Sequence, residues 1–151
     1  MNFRLIANTT SYVLWVEAGF LLLPLLVSVL YGEPWMPFFA TAVLCILIGF
    51  ILQLVPVKKA QMHSRDGFMA VALGWIALSL TGALPYVFSG ALNDYVDAIF
   101  ETVSGLTTTG STVFPEVEHL YRSVLLWRSL TQWMGGMGVL VLFLALMPKL
   151  G

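Results

Sequence analysis

Three stretches of this chain, residues 34–57, 67–93 and 129–148, contain no Asp, Glu, Lys or Arg, and this limits its possible folds more than any other feature. An unpaired charge in hydrocarbon is costly, and a helix rising about 1.5 Å per residue needs roughly 20 apolar residues to cross a bilayer. Each stretch therefore predicts one spanning helix. Residues 5–31 predict a fourth, although they hold Glu17, expected toward the entry end, and are broken by Pro24. With 59% of its 151 residues hydrophobic and 10% charged, the chain has too few polar side chains to cover a water-facing domain. A net charge of −1 offers no basic surface for nucleic acid. The lone Cys45 excludes an internal disulfide, and with two histidines it cannot supply a Cys/His metal cluster. The expected class is an all-α integral membrane protein.

Orientation follows from the basic residues of short loops. Lys58, Lys59 and Arg65, three of the seven basic residues, cluster after the second span, so that loop is expected in the cytoplasm. Threading outward from it puts Arg4 and the N-terminus inside, Glu33 and the Asp94/Asp97 region outside, and Lys149 inside. Arg122 is the exception, falling outside. The N-terminal apolar run is too long for a cleaved signal, and no small-residue cleavage site surrounds 31–34.

Between the third and last spans, residues 102–115 are uncharged but too short and too rich in Thr, Ser and Gly to cross. Residues 95–106 read as a helix about 18 Å long, half a bilayer core. Asp94 and Asp97 at its start suit the positive end of the helix dipole, which leaves the negative end pointing toward the membrane centre, where it favours a cation. The chain then passes through Thr107-Thr108-Thr109-Gly110-Ser111-Thr112-Val113 and must return to the side it came from. Irregular backbone at membrane depth survives only if buried in protein or lining a watery path. Gly110 opens conformations closed to other residues, and the threonines, stiff at χ1, hold a strand extended. Aligned carbonyls of this kind replace the water around a dehydrated alkali cation. Four spanning helices plus one re-entrant pore helix and filter loop is one reading. An ordinary Thr/Gly-rich external loop is the other.

The run Phe100-Glu101-Thr102-Val103-Ser104-Gly105-Leu106-Thr107-Thr108-Thr109-Gly110-Ser111-Thr112-Val113, followed by Leu126-Trp127-Arg128-Ser129-Leu130-Thr131-Gln132-Trp133-Met134-Gly135-Gly136-Met137-Gly138, resembles the first pore repeat of the Trk/Ktr/HKT superfamily of potassium transporters, nearest its bacterial TrkH/TrkG branch. The resemblance implies four helix, pore-loop, helix repeats around a central pore, with two helices ahead of the first. Residues 1–65 then hold the two accessory helices and the basic loop, and 66–151 hold one repeat, with three repeats absent. It places Thr108, Thr109, Gly110 and Ser111 on the filter strand, with potassium at their carbonyls. Gly110 falls on the glycine associated with potassium preference, and Ser111 on a position that tolerates small residues. It also implies a homodimer, a cytoplasmic nucleotide-binding regulatory subunit and a location in the cytoplasmic membrane. No cofactor is implied.

Glu101 and Arg128 both lie among apolar residues and are expected to pair, pinning the pore helix to the last span. Gly135, Gly136 and Gly138 lack the Lys and Ser/Thr of a phosphate loop, so close helix packing is expected of them, and likewise of Ala70 and Gly74. For Glu17, a buried hydrogen-bonded or near-interface role is favoured over proton transfer. His63 and His119 are separated by the membrane and cannot share a metal. Trp35, Tyr86, Tyr121 and Trp127 read as interfacial anchors.

Potassium uptake through a carbonyl filter is the leading function, and this chain offers one strand of a ring that needs several, from missing repeats or from other copies. A non-transporting membrane fragment or assembly subunit is the alternative. An intramembrane enzyme is disfavoured, since no Ser/His/Asp set faces itself.

Overall fold

The computed structural model describes residues 3–54 and 64–146, and among these every regular element is α-helical. The basic cluster at Lys58 and Lys59, together with His63 and Lys149, lies outside them. In chain order the helices are α1 (Phe3–Tyr31), α2 (Met36–Gln53), α3 (Ser64–Gly82), α4 (Leu84–Phe88), α5 (Tyr95–Leu106) and α6 (Arg122–Leu146). Among the described residues, three segments are long and apolar enough to cross a membrane: Ile6–Tyr31, Met36–Gln53 and Gly67–Phe88.

Helix α1 continues through Pro24, which cannot donate a backbone hydrogen bond. Four residues on, the Ser28 hydroxyl donates to the Pro24 carbonyl at 2.9 Å. The helix ends where Gly32 enters the left-handed region at φ 68°, with the Gly32 N–H on Val29 O and the Glu33 N–H on Ser28 O. This paired closure is a Schellman motif, and glycine is its usual left-handed residue.

The third span departs from the expected unbroken run over 67–93. Pro85 stands in the first turn of α4, and the helix axis is interrupted at Ala83. The Tyr86 N–H bonds to Ala83 O, and the Gly82 carbonyl instead accepts from Trp127 Nε1 at 2.9 Å. A buried carbonyl freed from a helix needs such a donor. The interruption also corrects the reading of two aromatics. Tyr86 and Trp127 are wholly buried, in a core with Leu14, Leu21, Phe38, Phe114 and Val124, because α4 packs against α2 and α5 and the indole serves the freed carbonyl. Trp35 and Tyr121 remain half-exposed.

Helix α1 packs along α2, α3 and α6, and α5 sits against α3, α4 and α6. One further tie joins the first two helices to α6. The Glu33 carboxylate accepts from the Arg122 N–H at 2.8 Å, the Ser123 N–H at 2.9 Å and the Ser123 hydroxyl at 2.6 Å. It thereby caps a helix whose own preceding residue, Tyr121, cannot. The Arg122 guanidinium lies 4.3 Å from the Tyr31 ring centre. The basic residue that was the exception to the loop-charge pattern therefore has an acidic and an aromatic partner at its own end of the bundle.

Desolvation pushes Glu33 upward, but the bonds from Ser123 and the Arg122 N–H, together with the Arg122 charge, outweigh it and hold the carboxyl below its usual 4.5. A carboxylate with a depressed value stabilises the fold above the unfolded value and loses that contribution as pH falls through the folded one. We expect the melting temperature to drop below about pH 4.5, and that part of the drop to vanish in Glu33→Ala, which loses roughly 1 kcal/mol at neutral pH. Thermal unfolding across an acid series checks this; an unaltered acid profile in the variant would contradict it.

Candidate functional site

The half-length helix α5 occupies Tyr95–Leu106, the bounds its sequence predicts. The Asp94 side chain accepts from the Val96 N–H at 2.9 Å, and Asp97 lies in the first turn. At the other end, Thr108 N–H bonds to Gly105 O at 2.9 Å and Thr109 N–H to Ser104 O at 3.0 Å. This is the closure that ends α1, with one substitution: the left-handed residue, φ 56°, is Thr108 and not glycine. A β-branched residue there costs about 1–2 kcal/mol. Strain of this kind collects at functional sites when the surroundings enforce it.

The enforcement comes from behind the segment. Thr107 Oγ1 donates to Val103 O and lies 2.8 Å from Thr109 Oγ1. The Ser104 hydroxyl donates to the Ser111 carbonyl at 2.5 Å. Further along, Glu101 accepts from the Thr112 hydroxyl at 2.9 Å, the Val113 N–H at 3.1 Å and Arg128 Nε at 2.6 Å. Glu101 is 4% exposed. Its carboxylate thus joins α5, the segment that follows it and α6, while the guanidinium lies 5.5 Å from the Phe114 ring centre.

Residues 107–112 are exposed. Among the described residues no hydrogen bond reaches the carbonyls of Thr107, Thr108, Thr109 or Gly110. In an ordinary strand successive carbonyls face opposite sides; left-handed residues at 108 and, with φ 78°, at 110 break that alternation. The Ser111 carbonyl, by contrast, is engaged by Ser104 and directed toward the helix. The arrangement presents a short run of free, strong acceptors on a rigid backing. Such a run suits a bare cation.

The glycines of α6 differ in what they touch. A Cβ on Gly135 would overlap the Leu106 carbonyl oxygen and lie 2.6 Å from its carbon, so α5 and α6 meet there backbone to backbone. At Gly105, across the same contact, a Cβ would overlap the Thr131 hydroxyl. Gly136 would place its Cβ 3.8 Å from the Thr108 methyl, and Gly138 3.4 Å from the Trp75 ring, both spaces that tolerate a side chain more readily. Ala70 is buried, and Gly74 faces Val13. Glu17 lies deep among the helices, accepting from the Thr81 hydroxyl at 2.6 Å and the Cys45 thiol at 3.7 Å. The Glu33 cap and the Ser104–Ser111 bond escape sequence reading; Tyr121, a non-capping residue just before α6, is the one signal for the first.

Comparison with known proteins places these features in context. The TrkH family model, described as a cation transport protein, matches residues 35–151. A Trk system potassium uptake protein TrkH from Salmonella typhimurium is 38% identical over all of this chain and 32% of its own length. A TrkG from Escherichia coli is 36% identical over 98% of this chain and 31% of its own. The crystal structure of the potassium transporter TrkH from Vibrio parahaemolyticus superposes with a TM-score of 0.90 at 36% identity, covering 98% of this chain and 32% of that one. The chain spans about a third of the length of the curated relatives it matches.

Proposed function

Because the chain belongs to the TrkH family of cation transport proteins, we propose that it supplies two leading helices and one pore repeat of a potassium-uptake protein, with residues 108–111 forming one strand of its ion filter. The observation that carries this reading is the run of unengaged carbonyls at Thr107 to Gly110, set on left-handed residues 108 and 110 and braced by Glu101. Thr108, Thr109 and Gly110 contribute directly; Ser111 contributes its position, its carbonyl being shared with Ser104. Potassium is the substrate, and transport asks no covalent chemistry and no cofactor of these residues.

In this reading α6 is the fourth span, the α5 start and Glu33 face outward, and the N-terminus lies in the cytoplasm beneath the inner membrane. Residues 1–65 form an accessory unit and 66–151 the repeat. One strand cannot ring a dehydrated ion, so the other strands come from further repeats. By kinship with the Trk systems, a homodimer and a cytoplasmic nucleotide-binding subunit complete the assembly.

Expression in cells lacking potassium uptake tests this. The complete reading frame containing these residues restores growth at low potassium, and residues 1–151 alone do not. Rescue by residues 1–151 alone would refute the one-strand account, and failure of the complete frame would refute potassium uptake.

A further inference from the structure

The packing around Gly82 points to a task for Glu17 away from the ion path. We propose that Glu17 is a positioning residue for the 107–113 segment, through which the first two helices hold the pore helix and α6 in place; the proposal rests on the filter reading above.

Glu17 is 1% exposed, and its Oε2 takes the hydroxyl of Thr81 on α3 and the thiol of Cys45 on α2. Its Oε1 points to the interruption between α3 and α4. A Cβ built on Gly82 would lie 2.9 Å from the Thr102 methyl, 3.1 Å from Glu17 Oε1 and 3.5 Å from the Trp127 ring. Four helices thus converge on one backbone position that has no room for a methyl group: α1 through Glu17, α3 through Gly82, α5 through Thr102 and α6 through Trp127. The Gly82 carbonyl is itself held by Trp127.

Thr102 and Trp127 are the sequence neighbours of Glu101 and Arg128, the pair that carries Thr112 and Val113. A shift at Gly82 therefore enters both helices next to the residues that set the strand, and close-packed interiors pass such shifts on instead of absorbing them. Glu17 is what fixes Gly82 from the far side. It binds α2 and α3 together at the one turn where α3 has lost its regular ladder. A side chain of the same length with an acceptor oxygen, such as Gln, satisfies Thr81 and fills the same space. Alanine removes both the acceptor and the volume.

The experiment uses the complete protein in proteoliposomes and reads the potassium-to-sodium flux ratio per folded molecule, which a purely structural role would leave unchanged. Glu17→Ala is expected to lower the ratio on the order of tenfold, the weight of one buried hydrogen bond. Glu17→Gln is expected to restore it to near the native value. If Glu17→Ala does not fold, Thr81→Val, which keeps shape and removes the hydroxyl, is expected to lower the ratio in the same direction by less. A native ratio in both Glu17→Ala and Thr81→Val, with only the yield reduced, would overturn the proposal. So would loss of transport in Glu17→Gln, which would assign the work to the carboxyl proton. Gly110→Ser is the internal reference: if it alone alters the ratio, the filter reading stands and the Glu17 proposal falls. If Gly110→Ser leaves the ratio native, the filter reading falls and takes the proposal with it.

Discussion

Replacing Arg128 with Gln is expected to remove most of the folded protein. Its guanidinium bonds Glu101 at 2.6 Å, and the two side chains are 18% and 4% exposed. Removing one partner of a buried pair costs about 3–5 kcal/mol, because the other charge is left in a medium that cannot solvate it. Thr112 and the Val113 N–H remain as donors to Glu101 but are neutral, and both are part of the strand. The variant's surviving molecules should therefore conduct poorly as well as be scarce. Glu101→Gln combined with Arg128→Gln removes the stranded charge and is expected to recover folded protein relative to Arg128→Gln alone. Size-exclusion profiles of detergent-extracted protein and flux per molecule measure both effects. Native yield and transport in Arg128→Gln would contradict the bracing role.

The second large effect is expected at Gly135. An alanine there would push its methyl into the Leu106 carbonyl. The obstacle is backbone at the closing turn of α5, so no side chain can swing aside. Overpacking of this kind costs about 1–3 kcal/mol, with backbone clashes at the upper end. The displaced residue is adjacent to Thr107, so the strand moves with it. Gly136→Ala, one position along the same helix, meets only the Thr108 methyl at 3.8 Å and is expected to retain native yield. Thermal stability of the two variants side by side separates them; equal melting temperatures would show that α5 and α6 do not meet at Gly135.

Parts of this architecture are legible in the chain because their causes are local. The bounds of α5 follow from an acidic cap at Asp94 and a switch from apolar residues to threonine after Leu106. Glu101 and Arg128 declare themselves as charges among apolar neighbours, which hydrocarbon tolerates only in pairs. Other parts depend on contacts far apart in sequence. The Glu33 cap lies 89 residues from its first donor, at Arg122. Tyr86 and Trp127 sit where interfacial aromatics are expected, and only the packing of α4 against α2 and α5 and the indole bond to Gly82 make them core. Thr108 is the sharpest case. Side-chain sterics argue against a left-handed threonine, and it is found where the braced strand begins, with Gly32 taking the same backbone role in an unremarkable turn.

Gly110 tests the filter most directly. Its φ of 78° is open to glycine, and a Cβ added there meets no atom within 4 Å beyond its two chain neighbours, so the effect of Gly110→Ser is conformational strain without a long-range clash. Serine relieves that strain by rotating the peptide and turning a carbonyl out of line, at about 1–2 kcal/mol. The decisive measurement is the potassium-to-sodium flux ratio of the complete protein with Gly110→Ser. A ratio lowered on the order of tenfold, with folded yield near native, is the result the carbonyl filter predicts. An unchanged ratio would contradict it.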